Sequence, residues 1–213
     1  MKTFSDNQLG RYPVYLRLFK ELLEEGTLVV SSPYLAAKLG YSEELIRKDL
    51  QAVCRESGRP RKGRSVIDTI ADLEQFLGYS KPETAILVGA GNLGGALLRF
   101  PGFAQHGLNI EAAFDASYAL SGKQIAGKNV YSMAVLQGYI KERGIKIAVL
   151  TVPGDAAQEV ADTLVKAGIE AIWNFAPLTL DVPSDVTVEN IDLASSLAVL
   201  CHRMQEKRGK NHG

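Results

Sequence analysis

The chain has 213 residues, with 24 Lys and Arg against 24 Asp and Glu, so its formal net charge is zero. Hydrophobic residues make up 46% and charged residues 23% of the sequence, which excludes a disordered chain, a collagen-like chain and a disulfide scaffold. No apolar stretch reaches the roughly 18 residues of a transmembrane helix, and the first ten residues carry no apolar signal core. Cys54 and Cys201 lie far apart and are expected to be buried thiols of a protein in the reducing cytoplasm.

Residues 11–76 show helical periodicity with short breaks. A first helix is expected to end at Gly26 and to bury one face, formed by Val14, Leu18, Leu22 and Leu23. A short second helix is predicted to have Ser32 as its N-cap and to end at Gly40. A later amphipathic helix covers residues 66–77, with apolar positions at Ile67, Ile70, Leu73, Phe76 and Leu77.

The positive charge is concentrated in residues 47–64. This segment holds seven basic residues and only two acidic ones, Asp49 and Glu56, which leaves +5 here and −5 in the rest of the chain. A compact basic segment on a neutral chain indicates either a local contact with a polyanion or a solvated helix face that leads into a flexible loop.

The same segment contains a predicted helix-turn-helix. A third helix begins at Glu43 after the N-cap Ser42, and it follows the second helix across a glycine turn. Its polar face would enter the DNA major groove and carries Arg47, Lys48, Gln51 and Arg55. The next stretch is too rich in Pro and Gly for a helix and is predicted to be a hairpin wing with the DNA-contacting cations Arg59, Arg61, Lys62 and Arg64. The alternative is an ordinary helical hairpin with an exposed basic loop.

From Thr84 onward the pattern changes to alternating strands and helices. The predicted strands are apolar runs at residues 85–88, 110–114, 147–150, 171–173 and 186–188. Helices are predicted between them at residues 93–100, 133–141 and 156–166. This alternation is typical of a doubly wound parallel sheet, the Rossmann-like α/β fold.

A glycine loop opens the first of these helices. It follows the strand at residues 85–88 directly and reads Gly89, Ala90, Gly91, Asn92, Leu93 and Gly94. This spacing, between a strand and a helix, is typical of a dinucleotide site. Asp115 ends the next strand, where a carboxylate accepts the ribose hydroxyls and repels a 2′-phosphate, so NAD(H) is favoured over NADP(H). The alternative is a glycine turn beside an unrelated surface acid.

Catalytic residues are not evident. Tyr34 and Lys38 have the spacing of short-chain dehydrogenases but lie ahead of the nucleotide fold, and the three histidines show no metal-ligand spacing. A cofactor site without catalytic residues indicates a sensor and not an enzyme. The alternatives are a small NAD-dependent oxidoreductase and a nucleotide- or CoA-binding module without DNA activity.

Several motifs occur in an order that resembles the Rex family of bacterial redox-sensing transcriptional repressors. The resemblance covers about residues 7–207 and rests on residues 31–32, 46–50, 89–94, 101–103, 114–115, 150–153, 174–177 and 188–192. It implies a winged-helix DNA-binding domain (1–80), an NAD(H)-binding Rossmann domain (81–191) and a C-terminal helix (192–213). It also implies a homodimer that binds operator DNA and is released when NADH binds. By the same resemblance, the nicotinamide end of the site is lined by Thr151, Val152, Pro153, Asn174, Phe175 and Ala176.

The C-terminal helix carries an apolar stripe formed by Leu193, Leu197, Leu200 and Met204, and Asp192 is a candidate cap. The resemblance implies that this helix reaches into the partner subunit; the alternative is packing on its own sheet. It also implies a redox switch in which an arginine and an acid, here Arg17 and Asp192, pair in one state of the dimer, and a tyrosine intervenes when NADH is bound.

The sequence departs from the family pattern at two places. The tyrosine of the switch is Phe100 here, and the aromatic, Gly-rich segment that usually follows the third helix is replaced by residues 51–54 and the basic wing. The first departure predicts a blunted redox response, and because of the second the resemblance does not carry the family's operator sequence over to this chain.

Overall fold

The computed structural model of the protein describes residues 4–55 and 63–210. Contacts between Cα atoms divide the chain into two compact units, Met1–Pro82 and Glu83–Gly213. Within the described ranges, no helix has the length and apolar character needed to cross a membrane.

The N-terminal unit is a small helical domain with one short sheet. Its helices are α1 (Asp6–Leu9), α2 (Arg11–Glu24), α3 (Ser32–Leu39), α4 (Glu43–Val53) and α5 (Val66–Phe76). The strands β1 (Val29–Val30) and β2 (Arg64–Ser65) pair antiparallel. The α3–α4 pair together with this sheet is the arrangement of a winged helix, as the sequence predicted. Arg59, Arg61 and Lys62, the expected wing cations, lie outside the described residues.

The buried face of α2 differs from the predicted one. Tyr12, Tyr15 and Phe19 are fully buried, whereas Leu23 is 38% exposed. The rings of Tyr12 and Tyr15 pack edge to face with each other, and the Tyr12 ring also packs edge to face on Phe76, with ring centroids 4.9 Å apart. The predicted burial is therefore confirmed for Leu18 and Leu22 and was wrong for Leu23.

One predicted cap and one predicted core residue also need correction. The N-cap of α3 is Ser31, whose hydroxyl accepts a hydrogen bond from the Tyr34 N–H, so the predicted cap Ser32 is already the first helical residue. In α5, Ile67 is 54% exposed, because the helix begins at Val66 and that residue faces the core. The predicted cap of α4 is confirmed, since the Ser42 hydroxyl accepts from the Leu45 N–H.

The second unit contains a seven-stranded sheet. Its strands are β3 (Glu83–Val88), β4 (Leu108–Asp115), β5 (Gln124–Ile125), β6 (Lys128–Ser132), β7 (Ile147–Leu150), β8 (Ala171–Asn174) and β9 (Thr187–Asn190). The spatial order is β5-β6-β4-β3-β7-β8-β9, and every pairing is parallel except that of β5 with β6. The predicted doubly wound parallel sheet is confirmed, with one antiparallel edge hairpin that the sequence analysis missed.

Helices accompany the sheet at α6 (Asn92–Arg99), α7 (Gly102–Gln105), α8 (Leu136–Arg143), α9 (Gly154–Ala167) and α10 (Leu193–Lys210). The central strand β3 is buried on both faces: Ile86 and Val88 pack in one apolar cluster with α8 and α9, and Ala85 and Leu87 pack in another with α6. This two-sided burial explains the uninterrupted apolar run in the sequence.

Helix α10 keeps its apolar stripe in solvent. Leu197 is 60% exposed, Leu200 is 63% exposed and Met204 is 43% exposed. The single chain therefore does not pack this stripe on its own sheet.

The two cysteines differ in exposure. Cys201 on α10 is exposed, so the expectation of a buried thiol was wrong for it. Cys54 is half-buried, and this burial raises the pKa of its thiol to about 11.

Candidate nucleotide and DNA sites

The residues predicted to bind the cofactor lie at one edge of the sheet. The loop at residues 89–91 follows β3, Asp115 ends β4, Thr151 follows β7, and Asn174 ends β8. Since β4 and β7 flank β3 on opposite sides, the chain reverses its direction of winding at β3. A crevice outside the carboxyl ends of parallel strands at such a point is where nucleotides bind in doubly wound folds.

The glycine loop has the backbone that a phosphate cradle requires. Gly89 has φ +100°, and a Cβ there would lie 2.7 Å from the Thr151 carbonyl oxygen. A Cβ at Gly94 would collide with the Gly89 carbonyl oxygen, whereas one at Gly91 would meet nothing within 4 Å. The open space therefore lies at Gly91, where α6 begins and the first helical N–H groups lack partners within the helix.

Asp115 connects the loop to the neighbouring strand. Its Oδ2 accepts a hydrogen bond from the Ala90 N–H at 2.7 Å, and its Oδ1 accepts from the Ser117 N–H at 2.8 Å. The Ala90 amide thus points at Asp115, which leaves the amides of Gly91 and the start of α6 to receive phosphate oxygens. Each carboxylate oxygen keeps a second lone pair for a ribose hydroxyl.

Thr151 holds the two central loops together. Its hydroxyl donates toward the Gly89 carbonyl at 2.7 Å and lies 3.1 Å from the Val88 carbonyl. Val152 and Pro153 continue from it to the start of α9. The Thr151 side chain therefore fixes the backbone of the crevice through internal hydrogen bonds. The sequence analysis predicted that Thr151 lies beside the nicotinamide and did not predict these bonds.

Asn174 has a comparable task on the next strand. Its side chain is buried, its Oδ1 accepts from the Ala176 N–H at 3.0 Å, and its Nδ2 donates to Asn190 Oδ1 and to the Leu178 carbonyl, both at 2.8 Å. These bonds shape the turn that carries Phe175. They also connect this turn to the strand end from which α10 departs.

A row of aromatic rings runs from this turn toward Phe100. Phe175 contacts Trp173 with ring centroids 4.7 Å apart, Trp173 contacts Phe103 at 5.4 Å, and Phe103 contacts Phe100 at 4.9 Å. The Phe100 ring lies directly against Gly102, where a Cβ would collide with it. Phe100 is 55% exposed, so the row ends at the surface. The single tryptophan of the chain was not singled out from the sequence.

Only some of the residues predicted to contact DNA lie together on the exposed face of α4. Arg47, Lys48 and Gln51 are exposed on α4, as a reading face requires. Arg55 lies beyond the end of α4, and its Nε pairs with Asp72 at 2.6 Å, so it does not extend the face of the helix. Arg64 is half-buried in β2.

The arginine and the acid of the predicted switch, Arg17 and Asp192, lie in different units. Arg17 is exposed on α2 and lines a groove of about 400 Å³ between α2 and α3, together with Glu21 and Lys38. Asp192 caps α10, because its Oδ1 accepts from the Ser195 N–H at 2.9 Å. Hydrogen bonds from the Ser195 hydroxyl and N–H lower the pKa of Asp192 below its ordinary value.

In the described part of the chain, no three His, Cys, Asp or Glu side chains come together as a metal site.

Two family models match the chain. One is described as a putative DNA-binding protein N-terminus and matches residues 5–51, and the other is described as a CoA binding domain and matches residues 80–178. The two matches do not overlap, and each lies almost entirely within one of the two units of the chain.

Relatives match over nearly the whole chain. The redox-sensing transcriptional repressor Rex of Bacteroides fragilis is 42% identical over 92% of this chain and 89% of its own length. The protein of the same name from Clostridioides difficile is 39% identical over 96% of this chain and 97% of its own.

Solved structures agree with these relatives. RSP, a Rex-family repressor, matches in a crystal structure with β-NAD+ and operator DNA at a TM-score of 0.91, with 35% identity, 100% of this chain and 97% of that chain covered. The RSP structure with β-NADH matches at 0.90, with 34% identity and coverage of 100% and 99%. The names of the relatives confirm the prediction of a regulator and not an oxidoreductase. The chain belongs to the Rex family of redox-sensing transcriptional repressors.

Proposed function

We propose that the protein is a cytoplasmic repressor that binds operator DNA as a homodimer and leaves it when NADH binds. The observation that carries this proposal is the presence of a helix-turn-helix and a dinucleotide crevice on one chain. The RSP structures, one with NAD+ and operator DNA and one with NADH, support the same pair of ligands for this protein.

NAD(H) would bind along the carboxyl edge of the sheet. The pyrophosphate would lie at Gly91 and the first amides of α6, and the adenosine ribose would lie at Asp115. The nicotinamide would lie toward Thr151 and the turn of Phe175, whose backbone is fixed by Asn174. In this arrangement, Thr151 and Asn174 shape the site through internal hydrogen bonds, and the residues that follow each of them face the ligand.

DNA would be read by α4. Arg47 and Lys48 would contact guanine edges or phosphates near the start of the helix, and Gln51 lies one turn further along the same exposed face. A glutamine at that place is suited to adenine, since its amide can donate to and accept from one base edge. Arg55 and Arg64 would contribute at the margin of this face, through phosphates.

The dimer would be formed through α10. Its apolar stripe is exposed in the single chain, and an exposed stripe of this size on a helix is typical of a subunit contact. Asp192 at its first turn would pair with Arg17 of the other subunit in the DNA-binding state. NADH shifts such a dimer only by as much as it prefers one arrangement over the other.

One experiment tests the whole proposal. Selection of bound sequences from random duplex DNA should recover a two-fold symmetric site without NADH and should lose it when NADH is added. CoA, suggested by the name of the second family model, serves as the control ligand and should leave the selection unchanged. Recovery of no site, or release by CoA and not by NADH, would contradict the proposal.

A further inference from the structure

The reading helix α4 carries a buried acid on its inner side. Asp49 is 1% exposed, although it sits in sequence between Lys48 and Leu50 and one turn from exposed residues. Its carboxylate accepts from Arg11 Nε at 2.6 Å, from Arg11 Nη2 at 2.9 Å, from the Tyr15 hydroxyl at 2.8 Å and from Gln8 Nε2 at 3.1 Å. Its backbone carbonyl accepts from the Tyr12 hydroxyl at 3.2 Å.

All these donors come from α1 and α2. The Arg11 guanidinium grips the carboxylate with two N–H groups, a geometry that fixes both distance and angle. Its hydrogen bonds to Asp49 raise the pKa of Arg11 above its ordinary value, and burial together with the bond to Asp49 raises the pKa of Tyr15. The buried carboxylate of Asp49 thus has hydrogen-bond partners at both of its oxygens.

The apolar contacts on the inner face of α4 do not depend strongly on direction. Ile46 and Leu50 are fully buried, and apolar contacts of this kind tolerate small rotations and slides of a helix. The forked bond from α2 does not, since a change of about 1 Å or of a few tens of degrees breaks it. Asp49 is therefore an inner residue of α4 whose contacts define the rotation of the helix about its axis.

We propose that Asp49 is a positioning residue for operator recognition: held by Arg11 and Tyr15, it fixes the rotation of α4 and so the direction in which Arg47, Lys48 and Gln51 meet the bases. This inference rests on the proposed DNA binding. It predicts that loss of the hydrogen bonds from Arg11 and Tyr15 to Asp49 lowers base-specific affinity and leaves the affinity for phosphates unchanged. Hydrogen bonds to base edges depend steeply on geometry, whereas the attraction to phosphates does not.

The test is Asp49→Asn, measured on the selected operator and on a scrambled duplex of equal length. Operator affinity should fall about 10-fold or more, the loss expected for one misaligned bidentate base contact. Affinity for the scrambled duplex should stay level or rise, since the variant removes a negative charge beside Lys48. A purely structural role would lower the folded fraction and reduce both affinities by one factor.

Two further variants keep the result decisive. Tyr15→Phe removes one bond to Asp49 and leaves the ring in the core, so it serves even if Asp49→Asn does not fold. It should lower operator affinity to a smaller extent and leave affinity for the scrambled duplex level, because it removes no charge. Asp72→Asn is the matched control: among the described residues of this unit, Asp72 is the other buried acid, and its partner Arg55 lies beyond α4. Because Arg55 is proposed to contact phosphates, which both duplexes carry, this variant should leave the operator-to-scrambled ratio unchanged. An unchanged ratio in folded Asp49→Asn and Tyr15→Phe overturns the inference, whereas a wild type without any preferred duplex overturns the proposed function instead.

Discussion

At the scale of single residues, Asp115 is proposed to determine the choice between NAD(H) and NADP(H). Its carboxylate is fixed by the Ala90 and Ser117 amides, so a negative charge stands where the adenosine ribose would bind. We expect NADH to bind much more tightly than NADPH, because the charge repels the 2′-phosphate. Asp115→Ala should narrow the gap, and Asp115→Asn should narrow it while keeping an acceptor for the loop amides. Equal affinities of the wild type for the two cofactors in calorimetry would contradict the assignment.

Phe100 carries the prediction of a blunted redox response. A tyrosine hydroxyl could compete for Asp192, whereas the Phe100 ring packs on Phe103 and offers no hydrogen bond. Phe100→Tyr should therefore sharpen the dependence of operator affinity on NADH, measured at a fixed NAD+ concentration. Arg17→Ala is the companion variant and should weaken operator binding at all NADH concentrations. Overlapping titration curves for wild type and Phe100→Tyr would remove Phe100 from the switch.

Single residues also mark the limit of sequence reasoning. The glycine loop could be recognised because it is a short contiguous motif, and Asp115 because it follows that loop at the end of the next strand. The contacts of Asp49 could not be predicted, since its donors Arg11 and Tyr15 lie more than 30 positions away. Contacts of that sequence separation leave no local pattern.

At the scale of elements, α4 is proposed to contact DNA. Replacement of both Arg47 and Lys48 by Ala should weaken operator binding and lower the slope of log affinity against log salt by about 2, one for each phosphate cation lost. Lys166→Ala, an exposed cation on α9, is the control and should leave the slope unchanged. A double variant that binds as well as the wild type would place the reading surface elsewhere.

Elements with a clear period were predicted well, and those without one were missed. The central strands of the sheet show uninterrupted apolar runs because both of their faces are covered. The β5–β6 hairpin is short, polar and at the edge, so it has no such run. Helix α2 was found, but its inner face was assigned from aliphatic residues alone and missed the rings of Tyr12, Tyr15 and Phe19.

At the scale of the whole molecule, α10 is proposed to form the dimer contact. Deletion of residues 192–213 should convert dimers to monomers or aggregates, as measured by light scattering after gel filtration. The deletion also removes Asp192, so a sharper variant changes only the stripe: Leu197→Glu together with Leu200→Glu. This variant should give folded monomers, because it places charge only on exposed residues of the stripe. Glu206→Ala, a polar change on the same helix, should remain dimeric. A stable dimer of the Leu197→Glu, Leu200→Glu variant would show that assembly uses another surface.

The aromatic row gives the protein an optical property of its own. Trp173 is the only tryptophan of the chain, and its indole contacts Phe175, at the turn proposed to receive the nicotinamide. Reduced nicotinamide absorbs light in the range in which indole emits, and the oxidised form does not. Unlabelled protein should therefore lose tryptophan emission and sensitise cofactor fluorescence when NADH binds, and NAD+ should produce no such transfer. The two redox states of the ligand could thus be followed in real time on the native chain, with DNA present.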